Sequence, residues 1–298
     1  MGERMGMEKL RIIGERINPG FKSTKRLFDS EDVAGIASLA REQVANGASY
    51  LNLNLGELAA KKPAFMVQVI RAVQQQVAVP LSFDSPDANV QALFLRTYDA
   101  DRAGGAAPIV NSISELRWEM LDLLKIRKCR FVLMASEREQ NGRRIANRTA
   151  QEVYQTALRM ATGMTAAGTG LTLDDLFIDV SIGPIGADMD GFTRMAVDAI
   201  RAIGASAALQ GVHMSVGLSN IGIMLPKLCS DGSALQPQIE SAFLTLTVPY
   251  GLDTVLGTAG RGYAMLPDDN RVLQGVRESL ELDGVDAILR IQQLYRSA

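Results

Sequence analysis

The sequence predicts an α/β protein folded as a (β/α)8 barrel. Short apolar segments alternate with longer amphipathic segments along the chain, as in parallel sheets that are covered by helices. The eight predicted strands are residues 10–14, 50–55, 80–83, 108–111, 130–134, 176–179, 213–217 and 252–257. A doubly wound open sheet is the alternative, but the chain lacks the Gly-x-Gly-x-x-Gly pattern that marks many open sheets.

The segments between the strands have helical periodicity. After the first strand, Asp29 and Ser30 are expected to cap a helix that ends before Gly47. Its apolar face carries Val33, Ile36, Leu39, Ala40 and Val44. A second clear helix is expected over residues 149–167, directly before Gly168. Its apolar face carries Val153, Ala157, Met160 and Met164.

The size and composition favour one domain over residues 1–298. With 47% apolar and 21% charged residues, the chain can bury one large core, and no Pro/Ser-rich linker divides it. The formal net charge is −2 and the Lys and Arg residues are scattered. This distribution argues against nucleic acid as a partner, because a polyphosphate backbone requires a concentrated basic surface.

The few metal-ligating side chains argue against a metal site. Cys129 and Cys229 have no Cys or His at ligand spacing, so neither a zinc site nor a disulfide framework is expected. The single histidine, His213, starts the seventh strand and should lie at the opposite end of the barrel from Asn220, in a structural role. No signal peptide or long apolar segment is present, so we expect a cytoplasmic protein that does not contact membranes.

Polar residues collect at the carboxyl ends of the predicted strands, where (β/α)8 barrels build their active sites. These residues are Glu15, Asn18, Asn52, Asn54, Asp84, Asn111, Asp179, Ser219 and Asn220. The serines at residues 85, 112 and 219 are expected to cap the helices that follow. The other residues predict a cavity rich in hydrogen-bond donors and acceptors, with little positive charge.

Such a cavity suits a flat polar heterocycle. A pterin presents a ring N–H and an adjacent exocyclic amine, and one carboxylate can accept both hydrogen bonds. Asp84 and Asp179 are the candidates, while Asn111 and Asn54 can serve the neighbouring ring carbonyl and ring nitrogens. Paired carboxylates for glycoside hydrolysis, drawn from Asp84, Asp179 and Glu15, stay open as an alternative.

Six segments resemble the pterin-binding methyltransferases, and most closely the methyltetrahydrofolate:corrinoid protein methyltransferases. They are RIIGERIN (11–18), LNLNLG (51–56), FDS (83–85), VNS (110–112), FID (177–179) and GLSN (217–220). The resemblance implies a homodimeric barrel that holds the pterin through Asp84, Asn111 and Asp179. It also implies a folate site completed by Glu15, Asn18, Asn54, Gly217, Ser219 and Asn220.

The chain departs from this family in two places. Asn52 stands where the family commonly has an aspartate, and residues 221–224 are more apolar than expected. The resemblance implies that Asn220 lies beside N5, the nitrogen that carries the methyl group, and Asn220 is therefore the candidate catalytic residue. The substrate would be tetrahydrofolate or 5-methyltetrahydrofolate, with either direction of transfer open.

The resemblance implies a second protein that carries the corrinoid (cobalamin), since no region of the chain is left for a corrinoid domain. The loop at residues 137–144 is either a docking surface for that protein or a solvated loop. Two other functions stay open. One is a dihydropteroate synthase-like enzyme, although that family's Asn-Val-Thr-Pro-Asp-Ser-Phe signature is replaced here by GERIN. The other is a non-catalytic folate-binding subunit of a methyl-transfer complex.

Overall fold

The computed structural model describes residues 6–166 and 168–296, and eight parallel strands in it close into a barrel. The strands are β1 (Arg11–Ile17), β2 (Tyr50–Leu53), β3 (Leu81–Asp84), β4 (Ile109–Ile113), β5 (Arg130–Met134), β6 (Glu137–Gln140), β7 (Arg143–Ala146), β8 (Leu176–Asp179), β9 (His213–Gly217) and β10 (Leu252–Gly257). The order around the barrel is β1-β10-β9-β8-β5-β4-β3-β2. The predicted (β/α)8 class is confirmed, and β6 and β7 form a separate hairpin.

Helices connect the barrel strands and cover the outside of the sheet. They are α1 (Lys22–Asp29), α2 (Val33–Ala45), α3 (Leu58–Lys61), α4 (Pro63–Gln76), α5 (Ala88–Thr97), α6 (Ala150–Met164), α7 (Phe192–Gly204), α8 (Leu235–Thr247), α9 (Arg271–Leu280) and α10 (Gly284–Gln292). Between β4 and β5 the connection is a 3-10 helix over Trp118–Lys125 instead of an α-helix. Among the described residues, no helix is both long and apolar enough to cross a bilayer.

The predicted cap at Asp29 and Ser30 is wrong, because an extra short helix lies between β1 and the first barrel helix. Asp29 is the last residue of α1, and the Ser30 hydroxyl donates to the Arg26 carbonyl at 2.7 Å. Asp32 caps α2, and its carboxylate accepts a hydrogen bond from the Gly35 amide at 2.8 Å.

The start of α6 is as predicted. Thr149 and Glu152 form a reciprocal capping box, in which each side chain accepts from the other residue's backbone N–H at 3.2 Å. The helix ends at Met164, and Ala167, the predicted last residue, lies outside the described residues.

The predicted capping role of the three strand-end serines is also wrong. Asp87, two residues after Ser85, caps α5 by accepting from the Asn89 amide at 2.7 Å. Ser112 accepts from the Arg117 guanidinium at 3.2 Å, and Ser219 lies far before the start of α8. These hydroxyls are used within the strand-end loops, and none of them is a helix N-cap.

The predicted loop at residues 137–144 is a β-hairpin, formed by β6 and β7. Its turn contains Asn141 and Gly142, with φ angles of 54° and 74°, and Asn-Gly is the sequence that such tight hairpin turns favour. Arg144 pairs with Glu137 across the hairpin at 2.5 Å. At the base of the hairpin, the side chain of Asn147 donates to the Ala135 carbonyl at 2.7 Å.

Apolar side chains fill the barrel interior below the polar strand ends. The inner cluster consists of Ile13, Tyr50, Ile109, Val132 and Phe177, with Leu256 packed against it. Side chains alternate between the two faces of a strand, so the residue two positions further on returns to the interior. That next position is polar on five strands, where it is occupied by Glu15, Asn52, Asn111, Asp179 and Thr258. The fold thus places a polar layer at the mouth, directly above an apolar one.

Gln91, on α5, fixes the ends of two strands that carry this layer. Its buried amide nitrogen donates to the carbonyls of Phe83, Ser85 and Asn111 at 2.8, 3.0 and 3.2 Å. We expect Gln91→Leu to destabilise the fold by about 2 kcal/mol, because it removes the hydrogen bonds that this amide donates to three carbonyls at the strand ends. Urea denaturation measures this change. Gln75→Leu, at an exposed position of α4, is the control, and equal stability of the two variants would contradict the expectation.

Candidate functional site

Asp84 lies at the centre of the polar layer, at the carboxyl end of β3. Its Cα is paired with that of Asn111 on β4, so these two side chains project from adjacent strands. The carboxamide nitrogens of Asn52 and Asn54, on and just after β2, both donate to Asp84 Oδ2, at 3.1 and 3.2 Å. The carboxylate is therefore held in place by neutral partners.

Burial raises the pKa of Asp84, and the hydrogen bonds from Asn52 and Asn54 act in the opposite direction. Burial also raises the pKa of Asp179, at the end of β8, to about 6. The Ser181 backbone N–H, which donates to Asp179 at 2.7 Å, lowers this pKa, whereas the nearby charge of Asp84 raises it. No described cation contributes to either shift. Two carboxylates thus share a poorly solvated mouth, and neither makes an ion pair with a described Lys or Arg.

Asn111 has a fixed backbone and an available side chain. Its carbonyl accepts hydrogen bonds from the Ser85 amide at 3.1 Å and from Gln91 at 3.2 Å. Its carboxamide is half-buried and makes no hydrogen bond to another residue in the described part of the chain. Asn52 is almost fully buried, and its Oδ1 atom also has no partner among the described residues. The half-buried Asn111 carboxamide therefore keeps a donor and an acceptor that a ligand can use.

Glu15 connects the other side of the mouth. Its buried carboxylate accepts hydrogen bonds from the hydroxyl of Ser219, after β9, at 2.7 Å and from that of Thr258, after β10, at 2.6 Å. A second buried carboxylate nearby, Glu240 of α8, receives two hydrogen bonds of 2.9 Å from Arg261. On this side of the mouth, the acidic side chains accept hydrogen bonds from other side chains of the protein.

Asn220 lies on the rim, in the 3-10 turn Leu218–Gly222 that follows β9. Its side chain is exposed and packs over Gly217. A Cβ added at Gly217 would lie 2.8 Å from the Asn220 amide nitrogen, so a larger residue there would displace the carboxamide. The Ser219 hydroxyl, in the same turn, donates a hydrogen bond to Glu15 and so ties the turn to β1.

The other two residues considered from the sequence, Asn18 and His213, make hydrogen bonds of their own. Asn18 is used locally, because its Oδ1 accepts from the Gly20 amide at 2.8 Å in the turn before α1. His213 lies at the opposite end of the barrel from Asn220, as predicted. Its ring nitrogens lie 2.5 Å from Asp253 and 3.2 Å from Asp174, which indicates a structural role.

Sequence reasoning missed four residues that shape the site. Thr258 directly follows β10, in the same position as the polar residues that were identified, so its place in the pattern could have revealed it. Gln91, Glu240 and Arg261 act from helices or loops distant in sequence, and no local signal marks them. Within the described residues, no group of three His, Cys, Asp or Glu side chains is arranged to hold a metal ion.

Asp179→Asn should stabilise the fold above pH 6. An aspartate whose pKa rises from 3.8 to about 6 on folding contributes stability at low pH and loses it as the pH rises from about 4 to 6. The full shift corresponds to about 3 kcal/mol, and partial solvent contact reduces the expected gain to roughly 1–2 kcal/mol. Thermal unfolding at pH 4 and pH 7.5 measures this gain. Asp198→Asn, at a surface aspartate, is the control, and a gain that is equal at both pH values would disprove the idea.

Known proteins similar to this chain share its fold or part of its sequence. The chain is 24% identical over 250 residues to the methylcorrinoid:tetrahydrofolate methyltransferase of Eubacterium limosum, which covers 82% of this chain and 83% of the relative. The dihydropteroate synthase of Xanthomonas albilineans, in complex with 7,8-dihydropteroate, superposes with a TM-score of 0.55 at 18% identity over 95% and 92% of the two chains.

A second similar structure is the Thermus thermophilus dihydropteroate synthase in complex with 4-aminobenzoate, with a TM-score of 0.56 at 20% identity over 91% of each chain. These structural matches support the barrel fold. The model of the pterin binding enzyme family matches residues 15–256, from the buried Glu15 to the end of the eighth barrel strand. The chain therefore belongs to the pterin binding enzyme family.

Proposed function

We propose that the chain is a methyltransferase, which moves a methyl group between N5 of tetrahydrofolate and the cobalt of a corrinoid held by a separate protein. The observation that carries this proposal is the grouping of Asp84, Asn111 and Asp179 at the barrel mouth with Asn220 on the adjacent rim. The similarity to a methylcorrinoid:tetrahydrofolate methyltransferase supports it. A homodimer and a cytoplasmic location stay predictions, as does a docking role for the hairpin of β6 and β7.

The buried carboxylates of Asp84 and Asp179 would recognise the donor edge of the pterin. A neutral ring with adjacent N–H and NH2 groups supplies further hydrogen-bond donors without adding a charge. The desolvated carboxylates of Asp84 and Asp179 can accept these donors in addition to the protein's own. The carboxamide of Asn111 can donate to the ring carbonyl or accept from a ring N–H. Asn54 and Asn52 hold Asp84 in a fixed orientation, so the site is formed before the ligand arrives.

The chemical difficulty of the reaction lies at N5. When the N5–methyl bond breaks, its electron pair stays on nitrogen, and this requires a proton or a strong hydrogen bond at N5. Asn220 would stabilise protonated N5 through its carboxamide oxygen, directly or through a water linked to Asp179 or Asp84. The same protonated N5 occurs in both directions of transfer by microscopic reversibility, so Asn220 serves either direction.

The corrinoid supplies a nucleophilic reduced cobalt or, in reverse, a cobalt-bound methyl group. The remaining task of this chain is positioning. Glu15 fixes the rim turn through Ser219, at 2.7 Å, and Gly217 leaves space for the Asn220 side chain. In this proposal Glu15, Ser219 and Gly217 are positioning residues, and a folate contact of Asn18 stays a prediction.

Folate binding is the first test of this proposal. We expect calorimetry to show that the protein binds 5-methyltetrahydrofolate and that Asp84→Ala weakens binding by at least roughly tenfold, because a buried carboxylate that accepts two donors is removed. Asp198→Ala is the surface control. Absence of binding by the wild-type protein would refute the folate assignment, and binding of 4-aminobenzoate instead would favour a dihydropteroate synthase-like activity.

Asn220→Ala should separate binding from catalysis. We expect the rate of methyl transfer to free reduced cobalamin to fall roughly a hundredfold, because an interaction that forms with developing charge at N5 is lost. The dissociation constant for 5-methyltetrahydrofolate should change little. Single-turnover absorbance measurements of the cobalt state give the rate, and calorimetry gives the affinity. Equal losses in rate and affinity would mean that Asn220 only binds the folate.

A further inference from the structure

The turn after Asn220 presents two large apolar side chains to solvent. Ile223 is 48% exposed and Met224 is 78% exposed, the highest value for a large apolar residue among the described residues. Single exposed apolar residues are common on protein surfaces, but consecutive ones beside a functional site indicate a contact surface. Ile223 and Met224 are called the apolar tip below.

The backbone holds Met224 in this exposed position. Its φ angle is +69°, in the left-handed region that favours glycine and disfavours methionine. The next residue, Leu225, is buried against Gly186, where an added Cβ would lie 2.7 Å from its side chain. The chain therefore turns so that Leu225 anchors the loop and Met224 faces outward, and a strained conformation of this kind is typical of functional surfaces.

A chain of hydrogen bonds fixes the apolar tip from below. The amide nitrogen of Gln236 donates to the carbonyls of Gly222 and Leu225, at 3.2 and 3.1 Å, which lie on either side of the tip. Gln236 in turn accepts from Arg261 at 3.4 Å, and Arg261 is paired with buried Glu240. The backbone on both sides of the tip is thus held by hydrogen bonds within the protein.

We propose that the apolar tip is the docking element for the protein that carries the corrinoid, an inference that rests on the proposed function. The Ile223 amide donates to the Asn220 carbonyl at 3.2 Å, so the tip and the proposed catalytic residue belong to one turn. A protein that brings cobalt to N5 beside Asn220 must cover this turn. Pre-organised apolar anchors are typical of binding hot spots, and methionine adapts to the surface it meets.

The experiment compares two methyl acceptors in two variants. Met224→Glu places a charge in the proposed interface, whereas Met224→Gly removes the side chain and suits the φ angle of +69°, so its Tm should be unchanged or higher. Tyr250→Glu is the control. It changes a side chain that is 44% exposed and lies two residues before the start of β10, at the end of the barrel opposite the mouth. The acceptors are free reduced cobalamin and a purified corrinoid protein that the wild-type chain methylates.

We expect both Met224 variants to raise KM for the corrinoid protein roughly tenfold and to leave turnover with free cobalamin and affinity for 5-methyltetrahydrofolate unchanged. Tyr250→Glu should match the wild type with both acceptors. An unchanged KM for the corrinoid protein would overturn the docking role, and so would a loss of folate affinity, which would make the tip a lid. A change in oligomeric state by light scattering would identify a second copy as the occupant and overturn it too.

The two proposals fail in different ways. If the wild-type protein binds no methyltetrahydrofolate and exchanges no methyl group with free cobalamin, the proposed function is wrong. If it does both but the Met224 variants retain the wild-type KM for the corrinoid protein, only the docking role is wrong.

Discussion

The chemistry of the barrel mouth depends on two buried carboxylates, Asp84 and Asp179, that make no ion pair with a described Lys or Arg. Closing eight parallel strands brings the ends of β3 and β8 to one opening, which places Asp84 and Asp179 near each other. Asn52, Asn54 and the Ser181 amide supply neutral hydrogen bonds, yet burial still raises both pKa values. The large apolar core of the barrel offsets this cost. A ligand with two adjacent hydrogen-bond donors would reduce the cost of burying the two carboxylates. The burial that weakens the fold would therefore favour ligand binding.

The acidic side chains on the two sides of the mouth have different hydrogen-bond partners. Around β9, β10 and β1, Glu15 accepts from two hydroxyls, and Glu240 is paired with Arg261. These contacts fix the loops and leave little for a ligand to bind. From β2 to β8, Asp84 and Asp179 make no ion pair with a described Lys or Arg, and Asn111 keeps a half-buried carboxamide. One side therefore orients the rim turn that contains Asn220, while the other is suited to recognise a heterocycle.

The sequence predicted the fold and the polar strand ends because both depend on local patterns. Short apolar strands and the alternation of side chains are enough to bring Asp84, Asn111 and Asp179 to one layer. Contacts between distant segments could not be predicted, such as the bond of Gln91 to the Asn111 carbonyl. The error at Asp29 arose because Asp29 ends an extra helix, α1, and the cap of α2 is Asp32, three residues later. The hairpin was missed although its Asn-Gly turn is a recognised signal.

The exposure of Asn220 is consistent with a reaction completed by a second protein. A group that stabilises charge at N5 is most effective when solvent is excluded, because water weakens the hydrogen bonds that the group makes. Alone, this chain leaves Asn220 in solvent and places the apolar tip beside it. A partner that covers the tip would exclude water from Asn220 as it delivers the cobalt. Docking and catalysis would then be coupled, because the carboxamide gains its full effect only when the methyl acceptor or donor is in place.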